Sequence, residues 1–478
     1  MRLRPVSSPR RFSRVTSSLA GPPRLVVLSV ALLVIIGAVA IGWPRTPEPP
    51  RLAGAAAASL TSSPTPRPSI PGTPSPSERV VALASKDVDQ IEPGIDATQT
   101  PAPTAVPVAR ATVPSTAAPA AVAVLGSGAI VGYGGATVGG DGGRVVDVGS
   151  IDELRAAMSD SGPRIVRLVG SGVWDAGGAE LTISKPNITI DGAACSCQIR
   201  NGWIKVAASQ VILRNLRVRT GDESVQAADA DAISINGGTE GISNIVLDHV
   251  EAIWAPDIGG VAILNRVTDV TVQNSIIGEG LYLSRHPEGI AAEDGHSYGF
   301  NITTLDGRSF AERLTVHHNL ITTSSQRNPQ IIAAAAVDFV NNVIYDAGLD
   351  WAYGNPRSAN IVNNIYRAGP QTQTSDEWRS RTNGDVTGFF AGSVYLSGNV
   401  ADGFTFTRDV ADGVLTDSAP VPLSIGPEST KGLLERVLSG VGPRPADATT
   451  QRILSDVWNL AGAFRNGVGQ PGPNPVWP

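Results

Sequence analysis

Cysteine is almost absent: the 478-residue chain has two, Cys195 and Cys197, too few for a disulfide scaffold. This C-x-C pair either closes a very small ring in an oxidising compartment or stands as two thiols at a tight turn. Lysine is nearly as scarce, with four residues, and the net charge is −6. A general nucleic-acid binder shows a basic face, so this balance excludes that class. It also means that an acidic polymer would have to be met by local basic groups or bound cations. There is no phosphate loop, dinucleotide fingerprint, zinc-type His/Cys spacing or Gly-x-Ser-x-Gly elbow. What is abundant is glycine, 52 residues, as expected of a chain with many turns.

Only one long apolar run occurs, at residues 25–43. Six arginines precede it within residues 1–24, and the first acidic residue is Glu48. At roughly 1.5 Å per residue the run nearly matches a hydrocarbon core of about 30 Å. The flanking charge places the N-terminus inside and the rest outside. A cleavable signal peptide is the rival, because Ala38-Val39-Ala40 resembles a cleavage site. Both readings make the remainder extracytoplasmic, anchored to the cell membrane or secreted. Residues 44–125 hold 16 of the 36 prolines among Ser, Thr and Ala, a composition expected to remain a disordered, extended tether.

From Gly126 the texture changes. Ser150 and Glu153 form a capping box that opens a short amphipathic helix over Ile151–Ser159. Short β-branched runs then end at Asn or His at nearly fixed intervals. Asn319, Asn342 and Asn364 are 23 and 22 residues apart, and Val250 and Ser275 are 25 apart. The longer gaps, 216 to 250 and 275 to 319, imply loops inserted into a coil. Such repeats are the signature of a solenoid whose coils stack because none can bury its apolar face alone. Equivalent Asn side chains should hydrogen-bond along the stack and tolerate left-handed turns. The expected fold is all-β: a right-handed, single-stranded parallel β-helix over 126–400. The Ile151 helix would cap its N-terminal end, and 401–478 would form a C-terminal capping segment with helices near 431–438 and 448–460.

Asp229-Ala-Asp231, Asp248-His249, Gly295-His296-Ser-Tyr298, His317-His318-Asn319, Arg327-Asn-Pro329 and the run from Val337 to Tyr345 resemble, in order, landmarks of the pectate lyase family. The likeness covers roughly residues 130–370, with an echo near 448–466. It implies an extracellular lyase that cleaves a uronate-containing polysaccharide by β-elimination with calcium. Removing the sugar C5 proton beside a carboxylate requires that the carboxylate be neutralised, and an arginine acts as the base. The resemblance assigns Arg327 as catalytic, and Asp231, Asp229 and Asp257 as metal ligands. Asp229 and Asp231, two apart on a strand, would share one face. Arg285 would stand in for the family's substrate-binding lysine, and His296 and Tyr298, on an inserted loop, would bind substrate. Asp222 and Glu223 would add ligands or form a charged loop. Asp248-His249 and His317-His318 fit structural corners. The chain departs from the family at Ile332 and Gln330, where basic residues are expected.

A non-catalytic β-helix binding cell-surface glycans is the second reading. A β-helical glycoside hydrolase is the third, and it lacks the Asn-Thr-Asp, Gly-His-Gly and Arg-Ile-Lys elements such an enzyme would show. A capped solenoid is expected to be a monomer.

Overall fold

The computed structural model describes residues 129–291, 295–380 and 392–476. The segments expected at 1–24, 25–43 and 44–125 lie outside the described residues. Among the described residues no helix is long and apolar enough to cross a membrane.

Strand β1 (Arg144–Val148) leads into helix α1 (Ile151–Ser159). The Ser150 side chain accepts from the Glu153 backbone N–H, and the Glu153 carboxylate accepts from Gly149 N at 2.7 Å. The capping box therefore reaches one residue further back than the sequence suggested. Leu154, Ala157 and Met158 are buried in the main core. The far end is closed by Arg164, fully buried, whose guanidinium donates to the carbonyls of Ala157 (2.8 Å) and Met158 (2.9 Å). A cation at that end also answers the helix dipole.

All 24 strands of the described residues belong to one parallel system. Long strands β2 (Arg164–Ile183) and β3 (Ile188–Val206) make the first coils, and shorter strands then form three faces. The first face runs from Val211–Arg214 through Val267–Gln273 and Ala334–Val340 to Val394–Ser397. The second runs from Arg217–Arg219 to Val400–Asp402, and the third from Ile233–Asn236 to Thr407–Asp409. Register is maintained coil to coil, so like residues stack. Val211, Ile245, Val270, Leu314, Val337 and Ala359 form one inward column, each 0% exposed. Each buried aliphatic side chain of this kind contributes roughly 1.5–3 kcal/mol.

The corner between the first and second faces divides the role expected of its polar residues. One column takes the left-handed conformation: Asn215, His249, Asn274, His318, Asn341 and Asn363, with φ between 51° and 56°. From Ser275 onward the next residue in the coil builds a ladder. Oδ1 of Asn319, Asn342, Asn364 and Asn399 accepts from the backbone N–H of Ser275, Asn319, Asn342 and Asn364, at 2.8 to 3.0 Å. The His residues here are structural: His317 Nε2 meets Gln273 Oε1 at 3.1 Å inside this corner.

Two stretches of irregular chain run across the coils. The N-terminal glycine-rich segment lies on the outside of the first face, where Gly140 N donates to Thr189 Oγ1, Gly134 N to Thr271 Oγ1 and Tyr133 N to Thr315 Oγ1, at 2.9 to 3.0 Å. A Cβ on Gly134 would stand 2.6 Å from Thr271 N, so only glycine permits this approach. At the other end, helices α3 (Leu433–Gly440) and α4 (Ala448–Asn459) pack Leu433, Val437, Ile453 and Val457 on Ile253, Ile276, Leu320 and Val343. The 401–478 segment thus contributes two last strands and then covers the flank of the second face, because apolar side chains of that face point outward there.

Under α4 lies a buried ion network. Arg219, 0% exposed, donates to Glu251 (2.6 Å), Gln198 (2.7 Å) and Asp447 (2.8 Å). Arg219→Met strands the buried Glu251 carboxylate, and about 3–5 kcal/mol of stability should be lost; urea unfolding measures it, and a loss under about 1 kcal/mol would refute the assignment. Cys195 and Cys197 are disulfide-bonded and lie in β3, both buried, not at a tight turn.

Candidate functional site

The turns that enter the third face stack in successive coils. Asp257 N donates to Ala230 O, and Ile258 N to the Asp231 carboxylate at 3.4 Å. Above them, Gly299 N donates to Gln326 O and Phe300 N to Arg327 O. This register brings Asp231, Asp257, Tyr298 and Arg327, distant in sequence, to one place.

Arg327 is half-buried and lies over the Tyr298 ring, with Cζ 3.9 Å from the centroid. Its positive charge also acts on the hydroxyls of Tyr298 and Tyr353. Its buried Nε–H has no acceptor among the described residues. Burial raises the Tyr353 hydroxyl to about 12, and raises Tyr298 as well against the opposing charge of Arg327. Asp231 is pushed well up, by burial first and then by the charge of Asp257; Arg327 pulls it back. Asp257 moves the same way by burial, again opposed by Arg327.

The inserted loop after Ile276–Gly278 carries the short helix α2 (Pro287–Ala291). The C-terminal tail secures it: Tyr282 stacks on Phe464 at 4.8 Å, and Tyr282 N donates to Arg465 O. The loop places the His286 and His296 rings face to face, 3.7 Å apart. His296 is buried and tilts against Tyr298 at 4.0 Å. Its Nε2 lies 3.3 Å from Glu288 Oε2 and 3.7 Å from Asp257 Oδ1. Burial, and next the neighbouring His286, lower His296 to about 3. His286 Nε2 faces Asp229 Oδ1 at 3.5 Å.

Several sequence expectations change. Asp229 and Asp231 do not share a strand face, because the strand begins only at Ile233. The turn before it leaves Asp229 exposed toward His286, while Asp231 turns in toward Ile258. Arg285 has an exposed side chain, and its backbone N–H is held by Asp222. Asp222 is buried and also accepts from Val468 N, and Glu223 pairs with Arg200, so both serve the structure. Gln330 and Ile332 are buried, Gln330 donating to the Tyr353 hydroxyl. His286, Glu288 and Tyr353 join the site without having been singled out. One signal was available for His286: of five histidines, only 286 and 296 fall in the long insertion.

Among the described residues the calcium implied by the resemblance is poorly matched. Calcium takes roughly six to eight oxygen ligands, whereas the described side chains that could share an ion are Asp257, His286 and His296, whose ligand atoms lie within 4.8 Å of one another. Two imidazole nitrogens do not fit that shell.

No family model matches the chain, and no curated protein matches it in sequence. Its likeness is to solved structures. The major allergen from cedar pollen has a TM-score of 0.50 and 17% identity, covering 66% of this chain and 92% of that one. A Bacillus subtilis pectate lyase variant gives 0.47 and 16%, covering 67% and 98%. A pectate lyase bound to a hexasaccharide gives 0.47 and 15%, covering 66% and 97%.

Proposed function

We propose that this chain, whose fold is the pectate lyase-like parallel β-helix, is an extracytoplasmic lyase of uronate-containing polysaccharide. The reading is carried by Arg327: an arginine fixed over Tyr298 beside two carboxylates, with a buried Nε–H that no group among the described residues accepts. A sugar oxygen entering the site would supply that acceptor. Arg327, in its neutral guanidine form, is the group that meets the reacting sugar and takes the C5 proton. The C5–H bond breaks, the C4–O bond to the next sugar breaks, and a C4=C5 double bond forms as the leaving oxygen gains a proton from water. Tyr298 lies under the guanidinium, and the stack of coils offers a path along which a polymer can lie. The arginine-rich start and apolar run at 25–43 support a membrane anchor, with 44–125 as the tether.

The test is ultraviolet absorbance of the full chain mixed with polygalacturonate or other uronate polymers. Absorbance rising with the unsaturated product supports the lyase. A flat trace with every polymer removes it. Retention of uncleaved polymer by the protein would then establish the second reading, glycan binding, which the buried Gln330 and Ile332 favour by leaving no basic grip at those positions.

A further inference from the structure

The inserted loop sets three hydrogen-bond acceptors against one another. His296 Nδ1 lies 3.0 Å from the carbonyl oxygen of Pro256. A carbonyl has no proton to give, so Nδ1 carries the hydrogen and neutral His296 presents a bare lone pair at Nε2. That lone pair faces Glu288 Oε2 at 3.3 Å and Asp257 Oδ1 at 3.7 Å. At 3.7 Å a protonated Asp257 could not bridge the gap with a hydrogen bond. A positive charge among the three atoms would satisfy all of them at once. A bound cation would supply it, at a ring that is 3% exposed and stacked on a second histidine.

We propose that Asp257, His286 and His296, with Glu288 beside His296 Nε2, bind a divalent cation of the zinc class. The spacing suits it. Two ligands at roughly 2.0–2.1 Å from one tetrahedral ion stand about 3.3–3.4 Å apart, close to the separations here. The donor set suits it too, since imidazole with carboxylate selects zinc and its neighbours, whereas calcium and magnesium prefer oxygen alone. Pro256 performs the outer-shell task seen around metal-bound histidines, fixing ring and tautomer through the far nitrogen. Glu288 and Asp229 are largely exposed, with 71% and 80% of their side chains accessible, so an ion can enter from solvent. The ion would stand near Arg327, where added positive charge disfavours a charged guanidinium; only this last consequence rests on the lyase reading.

Binding is measured without substrate, so failure here and failure of the lyase assay are separable. The full chain is stripped with chelator and titrated with Zn2+, Co2+ and Ca2+ by calorimetry, with visible spectra of the Co2+ form. The expected result is one Zn2+ per chain, displacement of Co2+ by Zn2+ but not by Ca2+, and a Co2+ absorption band showing nitrogen ligation. Glu288→Gln, at an exposed position, should weaken Zn2+ binding at least about 10-fold, and His296→Gln by more than about 100-fold, beyond what outer-shell changes cause. A stripped protein that takes up neither Zn2+ nor Co2+ at one per chain overturns the proposal and leaves an imidazolium between two carboxylates. An unchanged Co2+ spectrum in a folded His296→Gln variant overturns it equally.

Discussion

Arg327→Ala lowers the rate of unsaturated-product formation by roughly 10²–10⁴-fold, the range lost with a positioned proton-transfer group, and leaves the protein folded. The side chain contributes a stacking contact with Tyr298, while the hydrogen bond that fixes the turn uses the Arg327 backbone carbonyl, which accepts from Phe300 N at 2.6 Å. Alanine keeps that carbonyl. The lost cation–π contact costs about 0.5–2 kcal/mol. Arg327→Lys should fare little better in activity, because an ammonium cannot reproduce a guanidinium plane laid over the Tyr298 ring. Rates come from ultraviolet absorbance and stability from denaturant midpoints. If the alanine variant unfolds, Arg327 is a structural residue of the turn. If it folds and cleaves at the normal rate, the proton acceptor lies elsewhere.

The second large effect falls on the corner ladder. Asn342 Oδ1 accepts from the Asn319 backbone N–H and from Asn319 Nδ2, each at 3.0 Å, and Asn342 Nδ2 donates to Val316 O at 2.9 Å. All these groups are buried with no water-facing side. Asn342→Ala therefore leaves two donors and a carbonyl short of partners. At about 1–3 kcal/mol for each buried group so stranded, the variant should lose roughly 3 kcal/mol or more. Urea unfolding provides the figure, and a loss under about 1 kcal/mol would mean that the ladder is not what holds the coils in register.

The ladder also shows how far the sequence could be read. Spacing alone located Asn319, Asn342 and Asn364, because a strand-rich repeat fixes which positions stack. It merged two roles that the coil separates: His318, Asn341 and Asn363 fill the left-handed column, each one residue before its ladder neighbour. The α1 cap was legible because its signal is local, within four residues. The site was legible only in part. Asp231, Asp257, Tyr298 and Arg327 were picked out by likeness and do meet, whereas the partners of the two histidines were not, since a loop's conformation has no period. The divergence of Asp229 from Asp231 has the same cause: alternation of side chains holds only inside a strand, and Ile233 is where the strand starts. The long-range contacts of the tail, such as Arg219 with Asp447, 228 residues away, leave no local trace at all.

Solenoids commonly change length by gaining or losing whole turns, because each turn touches only its neighbours. The two crossing segments remove that freedom here. The glycine-rich segment is matched hydroxyl by hydroxyl to Thr189, Thr271 and Thr315, and the C-terminal helices to outward side chains from Arg219 to Arg367. Adding one turn between these points would put both segments out of step at once, on two different faces. The number of turns in this stretch is therefore locked, and variation among descendants should collect in the loops between turns, above all in the insertion that carries His286 and Glu288.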